Sequence, residues 1–118
     1  MQRIAVIGNI SRDLIRRPGR EACEQLGGAA LHMALAAARA GHRVAPVAVV
    51  GADLAQLPTV LALQNLDWST LTTLPAPSAS AAFDITYDPQ GHVTTCHSTY
   101  GASGHLTRQA LAHVGVLL

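Results

Sequence analysis

Two continuous apolar runs constrain this chain most. Ile4–Ile7 ends at Gly8, and Val44–Val50 ends at Gly51. A run with no polar alternation cannot keep one face in water, so each reads as a strand buried on both faces, the habit of parallel α/β sheets. Parallel strands need a crossover, and Ala29–Ala40 (AALHMALAAARA) lies between the two runs. It is apolar nearly all round, which predicts a helix packed between layers. Gly41 follows where a helix commonly closes. Strand, helix and strand in this order form a right-handed βαβ unit. Pro46 lacks a ladder donor, which predicts a strand start or an edge there.

The composition agrees with a packed α/β core. Of 118 residues, 49% are hydrophobic and 13% charged, too apolar for a disordered chain and enough for one small domain. Aromatic residues are 3%, so the core is built of small aliphatic side chains. A net charge of +1 leaves no footprint for nucleic acid or an anionic membrane. Every basic side chain is arginine, so no lysine can serve as nucleophile or phosphate ligand. Cys23 and Cys96 are too few and too far apart for a disulfide scaffold. The opening MQRIAVIGNI reads as a core strand rather than a signal peptide, and no apolar run is long enough to span a membrane. The expectation is a reduced, cytoplasmic protein.

The remaining segments fill in the architecture. Asn9–Leu26 carries Arg12, Arg16, Arg17 and Arg20 and a Pro18-Gly19 turn signal, and is expected to run partly extended, away from the core. Leu54–Leu66 predicts a second helix with Pro58 in its first turn. Ala79–Tyr87 and His92–Thr99 are strand-like, and Asp88-Pro89-Gln90-Gly91 between them is a hairpin turn. A hairpin inserted into a βαβ series predicts a subdomain outside the main sheet. Leu106–His113 reads as a third helix, and Val114–Leu118 as the start of another buried strand. Two or three parallel strands this apolar would leave a large sticky face, so the chain is expected to be the first part of a larger α/β domain. No internal repeat, low-complexity run or linker is present.

Five motifs, in order, resemble the ribokinase (PfkB) family, whose members phosphorylate sugars, nucleosides and related alcohols with ATP. The first is Gly8-Asn9-Ile10-Ser11-Arg12-Asp13. Asp13 falls on the family's aspartate that holds substrate hydroxyls, a role that suits a carboxylate facing vicinal hydroxyls; read alone, it could equally be a turn or capping residue. The second is Gly27-Gly28-Ala29-Ala30-Leu31-His32, resembling the family's glycine pair that lets substrate approach the backbone at a helix start. His32 stands where the family usually has asparagine, and is either a substrate contact or a satisfied, partly buried histidine. The third, Gly41–Asp53, resembles a strand ending in Val-Gly-x-Asp, with Asp53 touching substrate or, more simply, capping the next helix. The fourth, Ser78–Thr99, resembles the lid strands that cover the sugar and pair subunits. The fifth, Gly101–Thr107, resembles a Gly-Ala-Asn segment in which Ser103 replaces asparagine.

The resemblance implies a partial ribokinase-like three-layer α/β sandwich over 1–118, with a small β-lid hairpin and lid elements at about 9–26 and 78–99. It implies a substrate site of Asp13, Gly27, Gly28, His32 and Ser103, a sugar or nucleoside as partner, ATP and Mg2+ as cofactors, and homodimerisation through the lid. The family's late Gly-Ala-Gly-Asp motif, which supplies the catalytic base and the anion-binding helix, is absent from the 118 residues, as is any P-loop. The sequence thus offers no catalytic residue and no metal ligand set: its six histidines and two cysteines lack ligand spacing, and His92, Cys96 and His97 share a strand whose alternation divides them. The leading expectation is the substrate-binding front of a small-molecule kinase. The alternative is a truncated, non-catalytic relative that binds a small molecule or pairs through its lid. A nicotinamide-binding protein is disfavoured, because the spaced glycine fingerprint is missing after the first strand.

Overall fold

The structure, a computed structural model, describes residues 3–107. Three parallel strands, β1 (Arg3–Ile7), β4 (Arg43–Val50) and β5 (Leu71–Thr73), form one sheet in the order β1-β4-β5. Four others, β2 (Ser11–Arg16), β3 (Cys23–Gly27), β6 (Ala81–Tyr87) and β7 (Val93–Thr99), form a second sheet in the order β3-β2-β6-β7. Here β2 is parallel to β6, while the two outer pairings are antiparallel. The hairpin expected from Asp88–Gly91 is present, and it lies outside the parallel sheet, in this four-stranded layer with β2 and β3. Asp88 organises its turn by accepting from the Gln90 and His92 backbone N–H groups at 2.9 and 2.8 Å.

The helix α1 (Ala29–Arg39) lies on the parallel sheet and buries Leu31 with Ala30, Ala34 and Ala38, whose small side chains let it approach β4 closely. It buries one stripe rather than its whole circumference; Met33, on another side, is 59% exposed. Gly41 ends the helix as expected. Its N–H reaches the Ala38 carbonyl at 3.0 Å, and the next N–H, of His42, reaches Ala37 at 3.1 Å. In β4 every residue from Val44 to Val50 is buried, and these residues with Val6, Ile10 and Leu31 centre the core.

Pro46 sits in the middle of β4, at neither its start nor an edge. Val44 bonds to the chain on the β5 side through Asn65 and Asp67, and Val50 does so through Leu74. Pro46, in phase with both, therefore faces that side too. The ladder is broken there by a 3-10 turn at Trp68–Thr70, so no donor is missed. Its carbonyl accepts from the Thr70 hydroxyl at 2.7 Å.

The helix expected over Leu54–Leu66 is not continuous. A 3-10 turn covers Ala52–Leu54, and the helix α2 spans only Leu57–Val60. The chain is drawn out of helix because β4 recruits it: Val44 donates to Asn65 and accepts from Asp67 at 2.9 and 2.8 Å, making a parallel bridge at Leu66. The Leu61 carbonyl at the helix end accepts from both Leu63 N–H and Trp68 Nε1, at 2.9 and 3.0 Å. The helical expectation fails because a neighbouring strand with free backbone groups captures the end of the segment. The helix expected at Leu106–His113 and the strand at Val114–Leu118 lie outside the described residues, except for Leu106 and Thr107, which are not helical.

Candidate functional site

The chain leaves β1 at Gly8 and enters β2 through Ile10 and Ser11, both fully buried. This crossing point joins the two sheets. Asp13 follows on β2, with Ser11 Oγ donating to its Oδ1 at 2.7 Å. On β3, a Cβ placed at Gly27 would fall 2.0 Å from Asp13 Oδ2. The Asp13 carboxylate therefore occupies the space that the missing Gly27 side chain leaves. Gly28 is required for a different reason. Its φ is +100°, and a Cβ there would meet the Asn9 carbonyl oxygen at 2.3 Å. That same carbonyl accepts from Ala30 N–H at 3.2 Å at the start of α1. The glycine pair thus does two jobs: Gly27 makes room for a carboxylate, and Gly28 lets the chain turn into the helix against β1's exit.

Strand register divides the four-stranded sheet into two faces. Asp13 is paired with Gln25 on β3 and Phe83 on β6, and Phe83 with Ser98 on β7, so these four share a face. The next row on that face is Cys23, Ile15, Ile85 and Cys96. The opposite face carries Arg12, Leu14, Glu24, Asp84 and His97, which line an open cavity of about 430 Å³ with Asp53 and Ser80 at the edge of the parallel sheet.

That second face is tied to the core by charge. Arg12 pairs with Glu24 and reaches Asp53 Oδ2 at 3.2 Å. Asp53 Oδ1 accepts from both the N–H and the hydroxyl of Ser80, at 3.0 and 2.7 Å, while Ser80 Oγ accepts from Gly51 N–H at 2.9 Å. Burial pushes the Asp53 carboxyl up, but the Ser80 hydrogen bonds and the Arg12 guanidinium outweigh it and hold the group below the usual carboxylate range. Asp53 therefore caps no helix; it brackets the end of β4 to the second sheet. Arg16 grips Asp84 through two nitrogens at 2.8 and 3.1 Å on the same face, and lowers that carboxyl as well.

The predicted site residues are thus partly gathered. Asp13 and Gly27 touch, and Gly28 adjoins them. His32 is exposed on α1, one turn beyond Gly28, with its backbone N–H on the Gly28 carbonyl at 3.2 Å. Its ring makes no hydrogen bond among the described residues, so it is not the satisfied, partly buried histidine that the sequence allowed. Ser103 lies in a 3-10 turn, Gly101–His105, and spends its hydroxyl on the Tyr100 carbonyl at 2.5 Å. Arg12 and Ser80 were not singled out in the sequence. The only trace of them is alternation on β2 and a serine next to a strand, which many surface positions share.

Among the described residues, no group of three or more His, Cys, Asp or Glu side chains converges on a metal position. The start of α1 is already met by the Asn9 carbonyl, which would oppose a phosphate. No step of phosphoryl transfer is assigned to these residues. Among the described residues, no helix is long and apolar enough to cross a membrane.

No protein-family model and no curated protein matches the sequence. Solved structures do match the fold. The nucleoside kinase of Burkholderia thailandensis in complex with inosine superposes with a TM-score of 0.73 at 22% identity, covering 86% of this chain and 37% of that one. The nucleoside kinase of Methanocaldococcus jannaschii, an archaeal member of the ribokinase family, gives 0.75 at 20% identity, covering 89% and 39%. The ribokinase of Cryptococcus neoformans var. grubii serotype A in complex with ADP gives 0.71 at 20%, covering 86% and 35%. The chain thus spans less than two fifths of the length of these kinases and shares the fold of that part of them.

Proposed function

We propose that this chain is the substrate-holding part of an ATP-dependent kinase acting on a sugar, a nucleoside or a similar small alcohol. The observation that carries the reading is the Asp13 carboxylate set into the gap at Gly27, where sheet, helix start and chain crossing meet. A carboxylate held by one serine keeps acceptor capacity for two adjacent hydroxyls. In this reading Gly27 and Gly28 admit the substrate close to the backbone, and His32, exposed and unengaged one turn into α1, donates to it. The segments 9–26 and 78–99 act as a lid over the bound alcohol and as a surface through which two copies pair. ATP and Mg2+ bind outside the described residues, where the phosphoryl-transfer machinery would lie. The fold shared with nucleoside kinases and a ribokinase supports this class.

One observation favours the alternative of a non-catalytic small-molecule module. Ser103, standing where the family pattern has asparagine, has its hydroxyl already spent on Tyr100. A single experiment addresses both readings: equilibrium dialysis of the chain against labelled ribose, fructose and inosine, with Asp13→Asn as control, followed by incubation with ATP and Mg2+. Hydrogen bonds to a charged group contribute about 1.5–3 kcal/mol, so Asp13→Asn is expected to weaken binding at least about tenfold. Binding without phosphate transfer is expected of the chain alone on either reading, because the catalytic-base motif is absent from the 118 residues. Transfer gained on adding the remaining portion of a ribokinase-type kinase selects the kinase reading, and no transfer selects the non-catalytic one. Binding that Asp13→Asn leaves unchanged sinks the proposed site.

A further inference from the structure

The Asp13 carboxylate accepts one hydrogen bond among the described residues, and its donor, Ser11 Oγ, belongs to the same strand. On its own face, then, no hydrogen bond ties the carboxylate to the layer that carries Gly28 and α1. Ile10 and Ser11, both fully buried, fix where β2 begins. They do not fix how far the strand is rolled about its own axis, and that roll sets the distance from the carboxylate to the start of α1.

The roll is set from behind. Strand alternation puts Arg12, one residue back along β2, on the opposite face. There its guanidinium meets two carboxylates, one in each layer. Glu24 lies on β3, in the same sheet, so that pair travels with β2. Asp53 lies just past the end of β4, and its Oδ2 accepts from Arg12 Nη1 at 3.2 Å. Asp53 is seated without help from Arg12, because its Oδ1 takes two hydrogen bonds from Ser80. It also has the least exposed side chain of the three. Among the described residues, Arg12–Asp53 is the ion pair that joins β2 to the parallel-sheet layer. We infer that Arg12 is a positioning residue: by pinning the back of β2 to Asp53, it holds the Asp13 carboxylate at its distance from Gly28 and the start of α1. The inference rests on the proposed substrate site and adds to it a residue that never touches substrate. An exposed ion pair contributes little to stability, yet a displacement of about 1 Å is enough to spoil a positioned contact.

Equilibrium dialysis of the full chain against ribose and inosine tests this, with circular dichroism of each variant to check that both sheets are kept. Arg12→Met keeps an unbranched side chain without the charge. It is expected to weaken both ligands about three- to tenfold, less than Asp13→Asn does. Asp53→Asn is expected to match it, and the double variant to lose no more than either single, because the two residues act as one pair. Arg12→Lys keeps a cation within reach of Asp53 and is expected to restore binding to within about twofold. Glu24→Gln is expected to leave binding unchanged, since that pair lies within one sheet. Both ligands are uncharged, so salt acts on their binding only through the protein. In the unaltered chain their binding is expected to fall about threefold between low salt and about 0.5 M NaCl, and in Arg12→Met not to change. This salt series stands even where a variant fails to fold: an unaltered chain whose binding ignores salt overturns the inference. If Arg12→Met binds as the unaltered chain does while Asp13→Asn weakens binding, Arg12 positions nothing and the Asp13 site stands. Glu24→Gln weakening binding as much as Arg12→Met would also overturn the assignment, since the effect would then lie within the second sheet. If neither ligand binds, or Asp13→Asn changes nothing, the site itself fails and the inference falls with it.

Discussion

A methyl group added at Gly27 first meets the Asp13 carboxylate, whereas one at Gly28 meets the Asn9 and Ile10 backbone at a φ of +100°. The two glycines are adjacent, yet their substitutions should part company. Gly27→Ala is expected to displace the carboxylate and cut ligand binding at least about tenfold, with a stability loss of roughly 1 kcal/mol or less. Gly28→Ala forces a strained backbone conformation and a backbone clash, and is expected to cost more than about 2 kcal/mol in urea denaturation. Equal stability losses in the two variants would mean that Gly27 serves the fold and not the carboxylate. At this scale the sequence pointed to the glycine pair and to Asp13 through the motif resemblance alone. That one glycine faces the aspartate and the other the β1 exit depends on strand register, which no local pattern specifies.

Among the elements, the second sheet is held to the core by Asp53, which joins the end of β4 to Ser80 and Arg12. Its carboxyl titrates below the usual range in the folded chain, so its stabilisation is complete above that range and is lost as pH falls through and below it. Asp53→Asn is expected to cost roughly 1–2 kcal/mol at neutral pH, since the group is partly exposed and Ser80 keeps a partner in the amide. It should also flatten the loss of stability between neutral and acid pH. Denaturation midpoints of both proteins across that range test this; an unchanged pH profile would remove Asp53 as the tie. The segment after Asp53 shows the reverse of legibility: a helical reading from composition yielded to β4, whose Val44 backbone groups captured Asn65 and Asp67.

For the molecule as a whole, the crossing at Ile10 links the two sheets, and they are expected to unfold together. Ile10 is fully buried in the core cluster, while Ile7, three residues earlier, is 53% exposed. Ile10→Ala is expected to cost about 2–5 kcal/mol and Ile7→Ser less than about 1 kcal/mol. The fluorescence of the single tryptophan, Trp68, follows the parallel sheet, and circular dichroism follows both sheets. Coincident transitions are expected by the two probes. A second-sheet transition that Ile10→Ala does not move would show that the sheets fold apart.

What the sequence determined by itself was what apolar continuity and glycine punctuation can encode: the two parallel strands, the helix between them with its Gly41 stop, the Asp88–Gly91 hairpin, and hence an α/β class. Those signals are local, because each depends on residues a few positions apart. Burial on both faces holds for β4 but not for β1, where Ile4 and Ile7 are exposed and Val6 alone is buried. Only the tertiary structure decided that Asn9–Gly27 forms two strands joined to the hairpin in one sheet, that Pro46 can lie in mid-strand because the ladder is broken beside it, and that Asp53 is a bracket rather than a cap. It also decided which residues stand beside Asp13. Each of these depends on a partner brought from tens of residues away, and in a strand one residue of register exchanges every side chain between faces.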